Sequence, residues 1–169
     1  MNSLYYQKKI NDVIMKCPIE AGIEILVYNL LDECIDMDEY ALVDINRIWK
    51  NQDSRLVTDA GISDIAILST DFVFKNENTG SAYGFVEVKA AGISLIDTVQ
   101  ASGQMEKVSH FIYTNGIVWK YYFNRKLKWE RNITTVNLPY SIRKIKIDNK
   151  QFQQLKEDIK SIKWNDDKI

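Results

Sequence analysis

The chain has 169 residues, 46% of them hydrophobic and 27% charged, with two prolines and seven glycines, a composition that excludes a disordered or low-complexity protein. That length allows one domain, residues 1–169, able to bury roughly 70% of its unfolded surface around a single core, and leaves no room for a second autonomous one. A net charge of −1 argues on its face against a nucleic-acid partner, and apolar runs such as IEILVYNLL, residues 23–31, reach about half the roughly 20 residues a membrane span needs.

In chain order, MNSLYYQKKI lacks the apolar centre of a signal peptide, so a cytoplasmic protein without a membrane partner is expected. Residues 3–16 repeat apolar positions at Leu4, Ile10, Val13 and Ile14 and predict a short amphipathic helix. Pro18 suits the first position of a second helix, in which Ile19, Ile23, Leu26, Val27, Leu30 and Leu31 recur at three-and-four spacing. Glu20 and Glu24 fall one turn apart on its polar face. Cys17 and Cys34 are expected on this one helical segment as reduced thiols, too far apart for a Cys-x-x-Cys pair. After the acidic loop DMDEY, YALVDINRIWK fits a strand or a short helix. Gly61 breaks the next segment, and residues 63–68 alternate Asp64, Ala66 and Leu68 against Ile65 and Ile67, predicting a strand that begins at Asp64. The turn-rich KNENTGSAYG leads into a strand holding Glu87, which forms a hairpin with it. Residues 96–108 predict a helix that Gly103 weakens, and HFIYTNGIVWKYYFN predicts strand, a type I′ turn at Asn115-Gly116, and strand. A strand near RKIKI and a final helix in NKQFQQLKEDIKSIKW complete the chain. The expected fold class is α/β or α+β, a sandwich of one central mixed sheet flanked by helices.

Charge is uneven along this order. Residues 1–119 hold 9 Lys and Arg against 17 Asp and Glu, whereas residues 120–169 hold 13 against 6. In this basic C-terminal region Lys120, Arg125, Lys126, Lys128, Arg131, Arg143, Lys144 and Lys146 interleave with Tyr121, Tyr122, Phe123, Trp129 and Tyr140. Such a face could follow a phosphate backbone and stack bases. The competing reading is the solvated outer face of β-hairpins with snorkelling lysines.

Within YGFVEVKAAG, Glu87 and Lys89 stand two residues apart and share a strand face with Phe85. Buried charges are tolerated when paired or when they coordinate a metal. If the Asp64 strand lies alongside, two carboxylates and one lysine converge at one sheet edge, and oxygen-only ligands of this type suit Mg²⁺ or Mn²⁺. Asp64 and Glu87 could then hold an ion that binds a phosphodiester oxygen and activates water, with Lys89 orienting the water or neutralising charge at phosphorus. Glu20 or Glu24 could reach the same ion from the helix.

The ordered set of SDIAIL, GFVEVKA, a preceding helix with IEAGIE, a following helix with Gln100 and Gln104, and FIYTNGIVWKYY resembles the PD-(D/E)XK nuclease superfamily. Within it, the chain is most similar to the N-terminal nuclease domains of type I restriction motor subunits and related phage or mobile-element proteins, where a glutamine-bearing helix and a Thr-Asn-Gly turn followed by Trp recur. The likeness spans residues 18 to about 123. It implies a restriction-endonuclease-like three-layer sandwich, Mg²⁺-dependent hydrolysis of DNA, and a symmetric homodimer as the form that would cut two strands. Asp64 matches the family aspartate, and Glu87 and Lys89 match its E-x-K, with Val88 between them at the metal. Glu20, ten residues before Leu30, is the preferred match to the helix glutamate, with Glu24 in reserve. Gln100 or Gln104 matches the glutamine that contacts substrate or the active lysine. The family's proline before the aspartate is Ser63 here.

The competing reading of Asp64, Glu87 and Lys89 is a structural Glu–Lys pair at a strand end with Asp64 in a turn, and that of Glu20 and Glu24 is a solvated helix face. His110 lacks the partners of a hydrolytic triad, and Trp119 reads as core. A second functional class is a catalytically inactive nuclease-fold module that binds nucleic acid or a restriction or defence protein.

Overall fold

A computed structural model describes residues 1–48, 52–96, 98–135 and 144–166, among which four helices and six strands form a mixed α+β arrangement. Helix α1 (Ser3–Lys16) opens on Asn2, whose side chain accepts the Tyr5 N–H at 2.8 Å, and turns Tyr6, Ile10 and Ile14 inward. Helix α2 (Glu20–Cys34) buries Ile23, Leu26, Val27, Leu30 and Leu31 at the expected spacing. Its N-cap is Ile19, so Pro18 stands outside the helix rather than at its first position. Cys17 caps α1 and Cys34 closes α2, which places the two free thiols on separate helices.

Strands β1 (Tyr40–Asp44), β2 (Ile65–Ser69), β3 (Ala82–Val88), β4 (His110–Thr114), β5 (Val118–Phe123) and β6 (Lys126–Asn132) form one sheet in chain order. YALVDINRIWK is therefore strand over its first half, while Trp49 and Lys50 lie outside the described residues. Neighbours pair antiparallel except β3 and β4, which run parallel and are joined by α3 (Val99–Met105). Helix α3 starts later and ends earlier than residues 96–108: the Thr98 hydroxyl accepts the Ala101 N–H at 3.1 Å and sets its first turn. Gly103 serves packing there, because a Cβ at this position would fall 2.5 Å from Ala60 Cβ.

Of the tight turns that follow β4 and β5, only the second carries the backbone that a type I′ turn requires. Asn124 and Arg125, between paired Phe123 and Lys126, have φ of 49° and 63°, the double left-handed geometry of that turn. At Asn115-Gly116 only Gly116 is left-handed, with φ 79°, and the expected type I′ turn is absent. Asn115 is buried instead, and its Oδ1 accepts the Ile117 and Val118 N–H groups at 3.0 and 2.8 Å. Arg143 lies outside the described residues, and residues 144–147 show no strand beyond a single bridge from Ile147 to Thr134. Helix α4 (Asn149–Lys160) follows, capped by Asp148.

Both sheet faces are covered. Helices α1, α2 and α4 pack on one, against Ile65, Val86, Val88, Ile112 and Trp119. Helix α3 packs on the other, against Phe85, Phe111 and Tyr113. Alternation along β3 thus sends Val86 and Val88 to the three-helix side and Phe85 and Glu87 to the α3 side. Among the described residues no helix is long and apolar enough to cross a membrane.

Candidate active site

Asp64 stands immediately before β2, and backbone hydrogen bonds fix it from two strands. Its N–H donates to Val86 O at 3.1 Å, and the Ile45 N–H donates to its carbonyl at 2.9 Å. One carboxylate oxygen accepts the Val88 N–H at 2.6 Å, tying the start of β2 to the end of β3. From α2, Glu20 and Glu24 place carboxylate oxygens within 4.8 Å of an Asp64 oxygen and of one another. This meeting lies at the ends of inner strands rather than at a sheet edge.

Electrostatics follow from that crowding. Burial, then the charges of Glu87 and Glu24, push the Asp64 carboxyl up to about 7, against the Val88 N–H and Lys89, which favour its charged form. Burial, Glu20 and Asp44 likewise push Glu24 up, opposed by Arg47 and by the Asn46 amide, which donates to Glu24 Oε2 at 2.8 Å.

Glu87 is held by other partners. It is 3% exposed, and its Oε1 accepts Lys89 Nζ at 2.5 Å and Gln100 Nε2 at 3.0 Å, while Oε2 accepts Gln104 Nε2 at 2.9 Å. Both candidate glutamines therefore reach Glu87, one helical turn apart on α3, and neither is bonded to Lys89. The three-carboxylate group comprises Glu20, Glu24 and Asp64, with Glu87 outside it. Burial works against the Lys89 charge, but the Glu87 hydrogen bond and the charges of Glu87, Glu20 and Asp64 outweigh it and raise its pKa. Val88 enters the site through its N–H on Asp64.

An open cleft of about 290 Å³ borders Glu24 and Asp64, with Tyr28, Asp44 and Arg47 on its walls. Sequence reasoning singled out neither Asn46 nor Arg47. Both fall in YALVDINRIWK, and only the turn after β1 brings them to α2. No protein-family model, curated protein or solved structure matches the chain.

The basic C-terminal residues do not share one face. Lys120 lies on the α3 side, donating to Leu95 O at 2.9 Å, whereas Arg131 lies on the opposite side and pairs with Asp158 of α4 at 2.6 Å. Lys128 sits 5.5 Å from the centre of the Phe123 ring, Arg125 lies in the β5–β6 turn 3.7 Å from Glu106, and Lys126 is exposed on β6.

Glu20, Glu24 and Asp64 could hold a divalent cation. Three carboxylates with no nitrogen or sulfur donor among them suit Mg²⁺ or Mn²⁺. Burial first, and then the charges of Glu87 and Glu24, raise the Asp64 carboxyl, and a bound cation would offset the charge part of that rise.

Proposed function

We propose that the chain is a metal-dependent endonuclease of the restriction-endonuclease-like, PD-(D/E)XK kind, which hydrolyses DNA phosphodiester bonds. The observation that carries this reading is the meeting of Asp64 with Glu20 and Glu24 while Lys89, paired to Glu87, stands at the end of the adjoining strand. A mixed sheet with helices on both faces supports the three-layer expectation.

Glu20, Glu24 and Asp64 would hold Mg²⁺ or Mn²⁺, which supplies Lewis acidity toward a phosphoryl oxygen and acidifies water. Other tasks fall to the side chains. The Val88 N–H aims the Asp64 carboxylate, and Glu87 holds the Lys89 ammonium where it can orient water or offset charge growing on phosphorus. Gln100 and Gln104 fix Glu87 through both oxygens and so position Lys89 indirectly. Cutting both strands of a duplex would take a symmetric homodimer.

Glu87 favours a second reading, a catalytically inactive nuclease-fold module that binds nucleic acid or a restriction or defence protein. Its oxygens are engaged by Lys89, Gln100 and Gln104, and it stands outside the three-carboxylate group. Incubation with plasmid and single-stranded DNA in Mg²⁺ or Mn²⁺ separates the two. The nuclease nicks or degrades DNA, and Asp64→Asn and Lys89→Ala do not; DNA left intact by wild-type protein that still binds it selects the module.

A further inference from the structure

Arg47 rides on a turn that the acidic site holds from two sides. The Ile45 N–H donates to the Asp64 carbonyl at 2.9 Å, the Ile48 N–H closes the turn on Ile45 O at 3.1 Å, and Asn46 Nδ2 donates to Glu24 Oε2 at 2.8 Å. The Asn46 N–H also caps on Asp44 Oδ1 at 3.2 Å. These bonds carry Arg47 to the wall of the cleft that Glu24, Asp44 and Asp64 share. Its charge reaches Glu24 and opposes the rise of that carboxyl. Yet among the described residues its guanidinium makes no ion pair, although three carboxylates line the same cleft.

A cleft with only these acids would repel an anionic substrate. Arg47 is the single cation among its described lining residues, and a planar guanidinium with five donors matches a phosphate group better than any other side chain does. Among the described residues, none of the basic C-terminal region lines this cleft, and Lys120 and Arg131 are engaged on other surfaces. We infer that Arg47 is the substrate-phosphate contact of the cleft, donating to a non-bridging oxygen of a DNA phosphodiester beside the Glu24 and Asp64 carboxylates. This assignment rests on the nuclease reading above. It also gives the Asn46 to Glu24 bond a purpose: the bond holds the turn that carries Arg47 against α2, beside the acids.

The test compares wild type, Arg47→Gln and Arg47→Lys as full chains, with thermal melting expected to be unchanged because the side chain is exposed. Three readouts are taken: anisotropy of a labelled DNA duplex with single-stranded ends, in Ca²⁺, across a salt series; calorimetric titration with Mn²⁺; and the KM and kcat of cleavage in Mg²⁺. Arg47→Gln is expected to weaken DNA binding about tenfold, lower the salt slope by about one, and raise KM with little change in kcat. Mn²⁺ binding should be as tight or tighter, since a positive charge has left the site. Arg47→Lys should restore the salt slope and part of the affinity. A wild type that binds Mn²⁺ and cuts DNA, with Arg47→Gln unchanged in affinity, slope and KM, overturns the assignment of Arg47 alone. A wild type that takes up no Mn²⁺ and leaves DNA uncut overturns the nuclease reading, and the assignment with it.

Discussion

Gln104 Nε2 donates to Glu87 Oε2 at 2.9 Å, and both side chains are buried between α3 and the sheet. The other amide atom, Gln104 Oε1, has no hydrogen-bond partner among the described residues. A fully buried glutamine with one unmet acceptor persists because a buried carboxylate needs its N–H. Gln104→Leu removes that donor and should cost roughly 2 kcal/mol of folding free energy, read from urea denaturation. Wild-type stability would show that Lys89 and Gln100 suffice to hold Glu87.

Asp64 makes stability depend on pH in a direction opposite to most carboxylates. Its folded value of about 7 lies above the ordinary 3.8, so the folded protein binds the proton more tightly than the unfolded chain does. Between about pH 4 and about pH 7, without divalent cation, its contribution therefore falls as pH rises, and it levels off above. Asp64→Asn should flatten this slope and be more stable than wild type above about pH 7 in EDTA. Denaturation midpoints across that window with equal slopes for both proteins would contradict the burial and crowding described for Asp64.

Asp53 and Arg55 bind the loops on either side of β2 together. Asp53 is 3% exposed, accepts Arg55 Nε and Nη2 at 3.0 and 2.8 Å, and also accepts the Lys75 N–H at 2.8 Å. Arg55 continues to the carbonyls of Val73, Thr79 and Gly80 and lies 3.8 Å from the centre of the Phe72 ring. The guanidinium holds the Asp53 carboxyl down at about 2, so this contribution is complete above about pH 4 and is lost as pH falls toward about 2. Arg55→Met strands a buried carboxylate and should cost roughly 3 kcal/mol at neutral pH. A loss too small to shift the denaturation midpoint would mean that the Lys75 N–H and solvent can satisfy Asp53.

Trp164, 1% exposed, lies across Gly84 of β3. A Cβ on residue 84 would come 2.8 and 2.9 Å from indole carbons. Gly84→Ala must displace that ring and should cost roughly 1–3 kcal/mol. An unchanged melting temperature would show that the indole can shift without loss.

Much of this frame was legible in the residues. Recurring apolar positions located α1 and α2, although Leu4 of the first set is exposed, and period-two alternation placed Glu87 and Lys89 toward one face and Val86 and Val88 toward the other. What pattern could not supply was tertiary. The α3 glutamines read equally well as surface residues until the β3–α3–β4 crossover set them on Glu87. The left-handed pair at Asn124-Arg125 lacks the glycine that advertises such a turn, while Asn115-Gly116 has the glycine but spends its asparagine on side-chain capping. Asp64 was legible by residue type, yet its partners Glu20 and Glu24 depend on how α2 crosses the sheet, which no local spacing encodes. Charge composition suggested one basic face, but alternation along β5 and β6 divides those residues between two sides.

Anomalous diffraction from a crystal soaked in Mn²⁺ tests the central claim most directly. The account predicts one strong peak bonded to a carboxylate oxygen of Asp64 and to at least one from Glu20 or Glu24, at the roughly 2 Å typical of hard cations of this size, and no such peak in Asp64→Asn. A well-ordered soaked crystal with no peak at these carboxylates, or with Mn²⁺ bound only elsewhere, would contradict it.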